Sequence, residues 1–242
     1  MSYVSADHEN PTPLIPLDKK GLATWQSSAS DSQTRWVEAS GFAAKPGEVC
    51  LLPSSDGGIK ACLFGVAKDG HLYQLAGLPA KLPEGAYRLE SQRNADQRAQ
   101  AALGWGLACY RFSRYRKNKD SNSRTLVLDV DIAERVDSLL EAQTLVRDLV
   151  NTPTEDLGPQ QLEDCVREVA QRFEAKCKVV RGEDLLKHNF PAIHAVGRAS
   201  HRPPRLIELT WGKKDSPLLV LVGKGVCFDT GGLNLKPTGG MA

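Results

Sequence analysis

Three side chains near the end of this 242-residue sequence have the types and spacing to do chemistry together. They are Lys224, Asp229 and Lys236, set in the run GKGVCFDTGGLNLKP at 223–237. A carboxylate such as Asp229 is a hard oxygen ligand for a divalent cation. A lysine can ligate only as the neutral amine. Its ordinary pKa is about 10.4, so a ligating site must favour the neutral form through desolvation and the charge of the metal itself. A second lysine that keeps its proton can instead stabilise the oxyanion that forms when a carbonyl is attacked. The glycines between them permit tight turns and close approach of the backbone to a ligand.

A phosphate-binding loop fails on spacing. The Walker pattern GxxxxGK[ST] is broken because Gly225 follows Gly223-Lys224 and position 218 is Leu, and GKGVCF does not supply GxGxxG. The metal reading fits the residue types, but the loop offers a single carboxylate. Upstream, Glu208 falls in an expected strand and Asp215 in a polar turn, neither at a ligand spacing from the loop. His194 and His201 lack a paired ligand pattern and read as core or solvent residues. Cys227 has no histidine nearby in sequence to activate it and reads as a packing residue.

The elements that must position these residues follow from pattern. Leu218–Val222 reads as an apolar strand delivering the loop, and open α/β sheets assemble their sites at such strand ends. CKVVR and RLIELTW read as two further strands. A helix starts near Gly158-Pro159 and runs through QQLEDCVREVAQRF, and a longer one, IAERVDSLLEAQTLVRDLVN, ends at Asn151 before Pro153. Upstream, RTLVLDV is a short buried strand. NADQRAQAALGWGLACYRF is a helix with Ala101, Leu103, Leu107 and Ala108 on its apolar face. GEVCLLP and GIKACLFGVAK are strands joined by the turn at 54–58. Residues 1–13, polar with two prolines, read as a loose arm. The order favours an α/β class with a mixed sheet. An N-terminal α/β domain at 1–130 is expected, then a connecting helix at 131–152 and a second α/β domain from 153.

Composition adds exclusions. A charged fraction of 25%, an apolar fraction of 41% and a net charge of +2 are ordinary globular values, so overall charge points to neither a nucleic acid nor a membrane partner. No run of 18 apolar residues exists, and the N-terminus lacks a secretory pattern. Six cysteines stand singly within apolar segments, which reads as reduced thiols in a cytoplasmic protein.

VGKGVCFDTGGLNLKP closely resembles the signature of the leucyl aminopeptidase family, the two-metal cytosol aminopeptidases. LVRDLVNTPTEDLGPQQL resembles the end of that family's linker helix and the opening of its catalytic domain, and AIHAVGRASHRPPRLIELTW resembles the next segment. The resemblance covers about 140–242 in the family's order. It implies that 153–242 is the start of the catalytic domain, that Lys224 and Asp229 are metal ligands, and that Lys236 polarises the scissile carbonyl. It also implies two divalent ions (zinc or manganese), peptide substrates with a free N-terminus and a homo-hexameric assembly of the complete enzyme. The family's remaining acids lie in later motifs that these 242 residues do not contain. The expectation is a fragment with an incomplete site, inactive by itself.

A second class of function stays open. YRFSRYRKNKDSNSR at 110–124 interleaves basic and aromatic residues, a composition that can bind nucleic acid. A non-catalytic module binding nucleic acid or a protein partner is therefore the alternative, although a solvated loop between helix and strand is the favoured reading of that segment.

Overall fold

The computed structural model describes residues 3–6, 8–67, 72–90, 94–117 and 124–227. The chain divides into two units, Met1–Arg147 and Asp148–Ala242.

The first unit is built on a six-stranded sheet. Its strands are β1 (Val4–Ser5), β2 (Thr12–Leu17), β3 (Val49–Pro53), β4 (Ile59–Gly65), β5 (Gly85–Leu89) and β6 (Arg124–Val127), in the order β1-β6-β5-β2-β4-β3. All neighbours are parallel except β3, which pairs antiparallel with β4. This is the mixed α/β architecture expected. Between β2 and β3 lie α1 (Lys19–Ser28) and α2 (Asp31–Ala39), each opened by a side-chain cap. Asp18 accepts from the Gly21 amide at 2.6 Å, and Ser30 forms a capping box with Gln33.

The loose arm expected at 1–13 is wrong at both ends of the described part, because Val4–Ser5 pairs with β6 as β1 and Thr12 and Pro13 begin β2, an inner strand of the sheet. Three prolines in PTPLIPL disguise it, since proline cannot donate to a ladder. The register explains how the strand tolerates two of them. Pro13 is paired only with β5 and Pro16 only with β4, so neither faces ladders on both sides.

α3 (Ala95–Cys109) follows β5 and starts at Asn94, whose side chain accepts from the Gln97 amide at 2.9 Å. Its most buried line is Ala101, Ala102, Trp105 and Cys109, whereas Leu103 and Leu107 are only partly buried and pack at the margin. Of the expected apolar face, Ala101 lies in the core, whereas Leu103, Leu107 and Ala108 stand at its edge. Gly104 and Gly106 allow the deeper seating. A Cβ at Gly104 would lie 1.8 Å from the Leu72 carbonyl oxygen, and one at Gly106 would lie 2.2 Å from Leu140 Cδ1. Trp105 is fully buried with Leu14, Phe64, Tyr87 and Leu126 of the sheet and with Val136 and Leu140 of α4 (Val130–Asn151). Each fully buried large apolar side chain here contributes about 1.5–3 kcal/mol.

The second unit contains α5 (Pro159–Arg172), β7 (Lys176–Arg181), α6 (Asp184–Lys187), α7 (Pro191–Gly197) and β8 (Arg205–Thr210). β7 and β8 form an antiparallel pair, from Lys176 opposite Thr210 to Arg181 opposite Arg205. The Gly-Arg turn and Pro-Pro pair find their physical reason here. A Cβ on Gly197 would stand 2.4 Å from Pro204 Cβ, so only glycine lets α7 end against that proline. Among the described residues of this unit, the buried apolar side chains are only Ala170 and Leu185.

One expected strand is absent. Leu218–Val222 has no ladder partner among the described residues, and its five side chains are 66–93% exposed. Strand propensity alone does not form a strand; a neighbouring backbone must accept and donate, and none of the described residues does so.

Candidate functional site

Lys224 lies in the exposed stretch that follows Leu218–Val222. The chain passes close to α5 at the next residue, where a Cβ on Gly225 would sit 2.9 Å from Leu162 Cδ2. Two residues on, Cys227 is half-buried. Burial pushes its thiol pKa up, opposed by the positive charges of Arg205 and Arg202. A raised thiol is the opposite of an activated nucleophile, in keeping with a packing role. Asp229 and Lys236 lie outside the described residues.

The described residues do not by themselves compose a metal centre. No group of three or more His, Cys, Asp or Glu among them is arranged to hold an ion. His194 is engaged elsewhere, its Nε2 lying 2.9 Å from Glu183 Oε1, while His201, Glu208 and Asp215 are exposed. The lysine is therefore displayed without a cluster of described acids around it.

Beside this stretch the sequence reading missed a feature of high charge density. Glu163 on α5 is completely buried and is surrounded by three guanidiniums. Arg167 Nε donates to Oε1 at 2.7 Å, Arg205 Nη1 donates to Oε2 at 2.5 Å, and Arg181 grips both oxygens, with Nε at 2.8 Å from Oε2. Hydrogen bonds from Arg181 are the largest cause, with those of Arg167 and Arg205 adding to it, and the carboxyl is held down at about 2 against an ordinary 4.5. A signal for it exists in the sequence. Glu163, Val166 and Ala170 share an i, i+3, i+7 face, so a carboxylate sits on a seam that otherwise buries apolar groups.

Arg202 fastens the segment between α4 and α5. It donates to the carbonyls of Thr154 and Glu155, the latter at 3.1 Å, and its side chain fills the space that a Cβ on Gly158 would need. Glu163 and Arg202 together fix α5, the helix against which the Lys224-Gly225 stretch lies.

In the first unit, residues 118–123 of the basic segment lie outside the described residues, and within 110–117 Arg111 and Arg114 make local contacts. Arg111 Nη1 donates to the carbonyls of Ala108 and Tyr110 at 2.9 and 2.8 Å, Arg114 lies 5.7 Å from the Tyr115 ring centroid, and Phe112 meets Tyr115 edge-on. No helix among the described residues is long and apolar enough to cross a membrane.

Residues 12–128 match the family model described as M17 aminopeptidase, N-terminal domain, and residues 144–242 match that of the cytosol aminopeptidase family, catalytic domain. A probable cytosol aminopeptidase of Leifsonia xyli is 31% identical over 242 residues, covering 93% of this chain and 49% of that protein. Peptidase B of Pectobacterium carotovorum is 36% identical over 153 residues, covering 58% and 35%. Among solved structures, the cytosol aminopeptidase of Coxiella burnetii superposes with a TM-score of 0.90 at 40% identity, over 97% of this chain and 51% of that one. A bottromycin maturation enzyme in complex with Mn follows at a TM-score of 0.66 and 25% identity, over 87% and 46%. The chain spans about half the length of the curated relatives it matches. With its two parts matched in order by the two domains of one family, the chain belongs to the cytosol aminopeptidase (M17, leucyl aminopeptidase) family.

Proposed function

We propose that this chain provides the N-terminal domain and the first part of the catalytic domain of a metal-dependent aminopeptidase that removes N-terminal residues from peptides in the cytoplasm. The observation that carries the reading is the run at 223–237, with its two lysines and one aspartate, inside the segment matched by the family's catalytic domain. In this reading Lys224 (as the neutral amine) and Asp229 hold divalent metal, zinc or manganese. Such ions, when bound, lower the pKa of a coordinated water and supply the nucleophile. Lys236 keeps its proton and stabilises the negative charge that develops on the scissile carbonyl oxygen. The substrate's free α-amine selects the chain end.

These 242 residues supply one carboxylate to that donor set, and no described acid is placed to complete it. In this reading the 242 residues alone are inactive. The test is release of leucine from a leucyl peptide by the purified 242-residue chain with excess zinc or manganese, beside a form extended to the length of its relatives. Activity in the extended form alone is expected. Metal-dependent turnover by the 242 residues at a comparable rate overturns the partial donor set, and no turnover in either form overturns the aminopeptidase reading.

A further inference from the structure

A cavity of about 60 Å³ opens in the first unit at the carboxyl ends of β5 and β6. Arg88 and Leu89 at the end of β5, Arg98 of α3, and Leu126, Leu128 and Asp129 of β6 and its exit line it. At about 10–15 Å³ per water-sized probe, it has room for about four waters or one small polyatomic ion. The cavity lies where the chain leaves β5 for α3 and β6 for α4, at the carboxyl ends of two neighbouring parallel strands.

Charge gives the cavity its sign. The Arg88 side chain is exposed and has no hydrogen-bond or ion-pair partner among the described residues. Arg98 Nη1 pairs with Asp129 Oδ2 at 2.6 Å, yet its Nε is buried and has no hydrogen-bond partner among the described residues. An orphaned guanidinium N–H is costly, and an acceptor in the cavity would relieve it. Two long helices begin at the rim. Arg98 is the fourth residue of the 15-residue α3, and the Asp129 carbonyl accepts the Ile132 and Ala133 amides that open the 22-residue α4. The positive ends of both dipoles favour an anion at that place. Of the acids nearby, Asp129 is already bound to Arg98, and Asp96 in the first turn of α3 is 3.0 Å from Arg135. Glu90 and Asp131 do not line the cavity.

We infer that this cleft binds a phosphate group, held by Arg88 and Arg98 at the N-terminal ends of α3 and α4. The volume admits the phosphate and leaves any organic remainder in solvent. Guanidinium forks match phosphate oxygens better than an ammonium does. The site lies wholly in the first unit and uses none of the lysine-bearing loop, so it stands or falls separately from the proposed peptidase function.

The experiment is calorimetric and NMR titration of the 242-residue chain with inorganic phosphate and with glycerol 3-phosphate at constant ionic strength. Saturable binding with amide shifts at 88–89 and 126–131 is expected. Arg88→Ala should weaken it by about tenfold or more with an unchanged melting temperature, since that exposed side chain makes no hydrogen bond or ion pair among the described residues. Arg98→Lys, which keeps the charge beside Asp129 but loses the orphaned Nε, should weaken it as well. Equal affinity for the two probes identifies free phosphate as the ligand, and a clear preference for the ester identifies a phosphorylated metabolite. Absence of saturable binding by either probe, or binding indifferent to both substitutions, overturns the site.

Discussion

Replacing Glu163 by glutamine keeps the shape of the side chain and removes its charge from among three guanidiniums. The wild-type carboxyl is held at about 2 against an ordinary 4.5, with Arg181 as the largest cause. At about 1.4 kcal/mol per unit, that depression is worth about 3 kcal/mol of stability at neutral pH. Removing one partner of a buried ion pair costs about 3–5 kcal/mol in general, the same order. Because the folded-state pKa is the lower one, the contribution is fully present above pH 4.5 and disappears as pH falls through about 2. Glu163→Gln should therefore destabilise the second unit by about 3 kcal/mol at pH 7, and the gap to wild type should close progressively below pH 4.5. Hydrogen exchange resolved on α5, β7 and β8 reads this directly, since those elements carry Glu163, Arg167, Arg181 and Arg205. A variant whose protection at pH 7 equals that of wild type, or a gap that does not narrow in acid, would refute the reasoning.

Other expectations are separately checkable. Gly104→Ala should cost about 1–3 kcal/mol in urea unfolding, because its Cβ would meet the Leu72 carbonyl at 1.8 Å and backbone must move; an unchanged midpoint would sink the close-approach argument. Cys62 is fully buried, and burial pushes its thiol up to about 12, so it should resist iodoacetamide at pH 8 while half-buried Cys177 reacts; mass spectrometry finding equal labelling would contradict the described core. In an enzyme extended to the length of its relatives, Lys224→Ala and Lys224→Arg should both lose metal, because a guanidinium stays charged and offers no lone pair; elemental analysis showing full occupancy in both removes Lys224 from the ligand set. In the same form, Lys236→Ala should keep its metal but lose about 10²–10³ in kcat; undiminished turnover would void the oxyanion role.

What the sequence revealed depended on how local each cause was. The β3–β4 hairpin is legible because its turn residues and both apolar runs are contiguous, and α5 because Gly158-Pro159 marks its start. β2 is hidden because proline content argues against a strand, and only the register shows that Pro13 and Pro16 each have a ladder on one side. The seating of α3 is hidden because glycine reads as weakness in a helix, when here it admits the Leu72 carbonyl and the Leu140 side chain. Leu218–Val222 fails in the opposite sense. Its composition is that of a strand, but pairing is a property of two segments, and the described residues supply one. The candidate ligands were readable as types and spacing alone. Glu163 shows its helical face in the sequence, but its partners, 18 and 42 residues later, do not announce themselves.

That separation also sets an order of events during synthesis. α5 leaves the ribosome with Glu163 and Arg167 in place, but Arg181 and Arg205 have still to emerge. With Arg167 alone beside it, the carboxylate lacks the Arg181 and Arg205 hydrogen bonds that offset its burial, so the seam formed by Val166 and Ala170 stays open to water at that stage. At about 5–20 residues per second, the 42 residues up to Arg205 take about 2–8 s to arrive. Arg202, which ties down the loop ahead of α5, emerges just before it. The second unit thus closes late and almost at once, on two arginines three positions apart. A translational pause that delays their emergence would prolong the interval in which α5 is an exposed amphipathic helix.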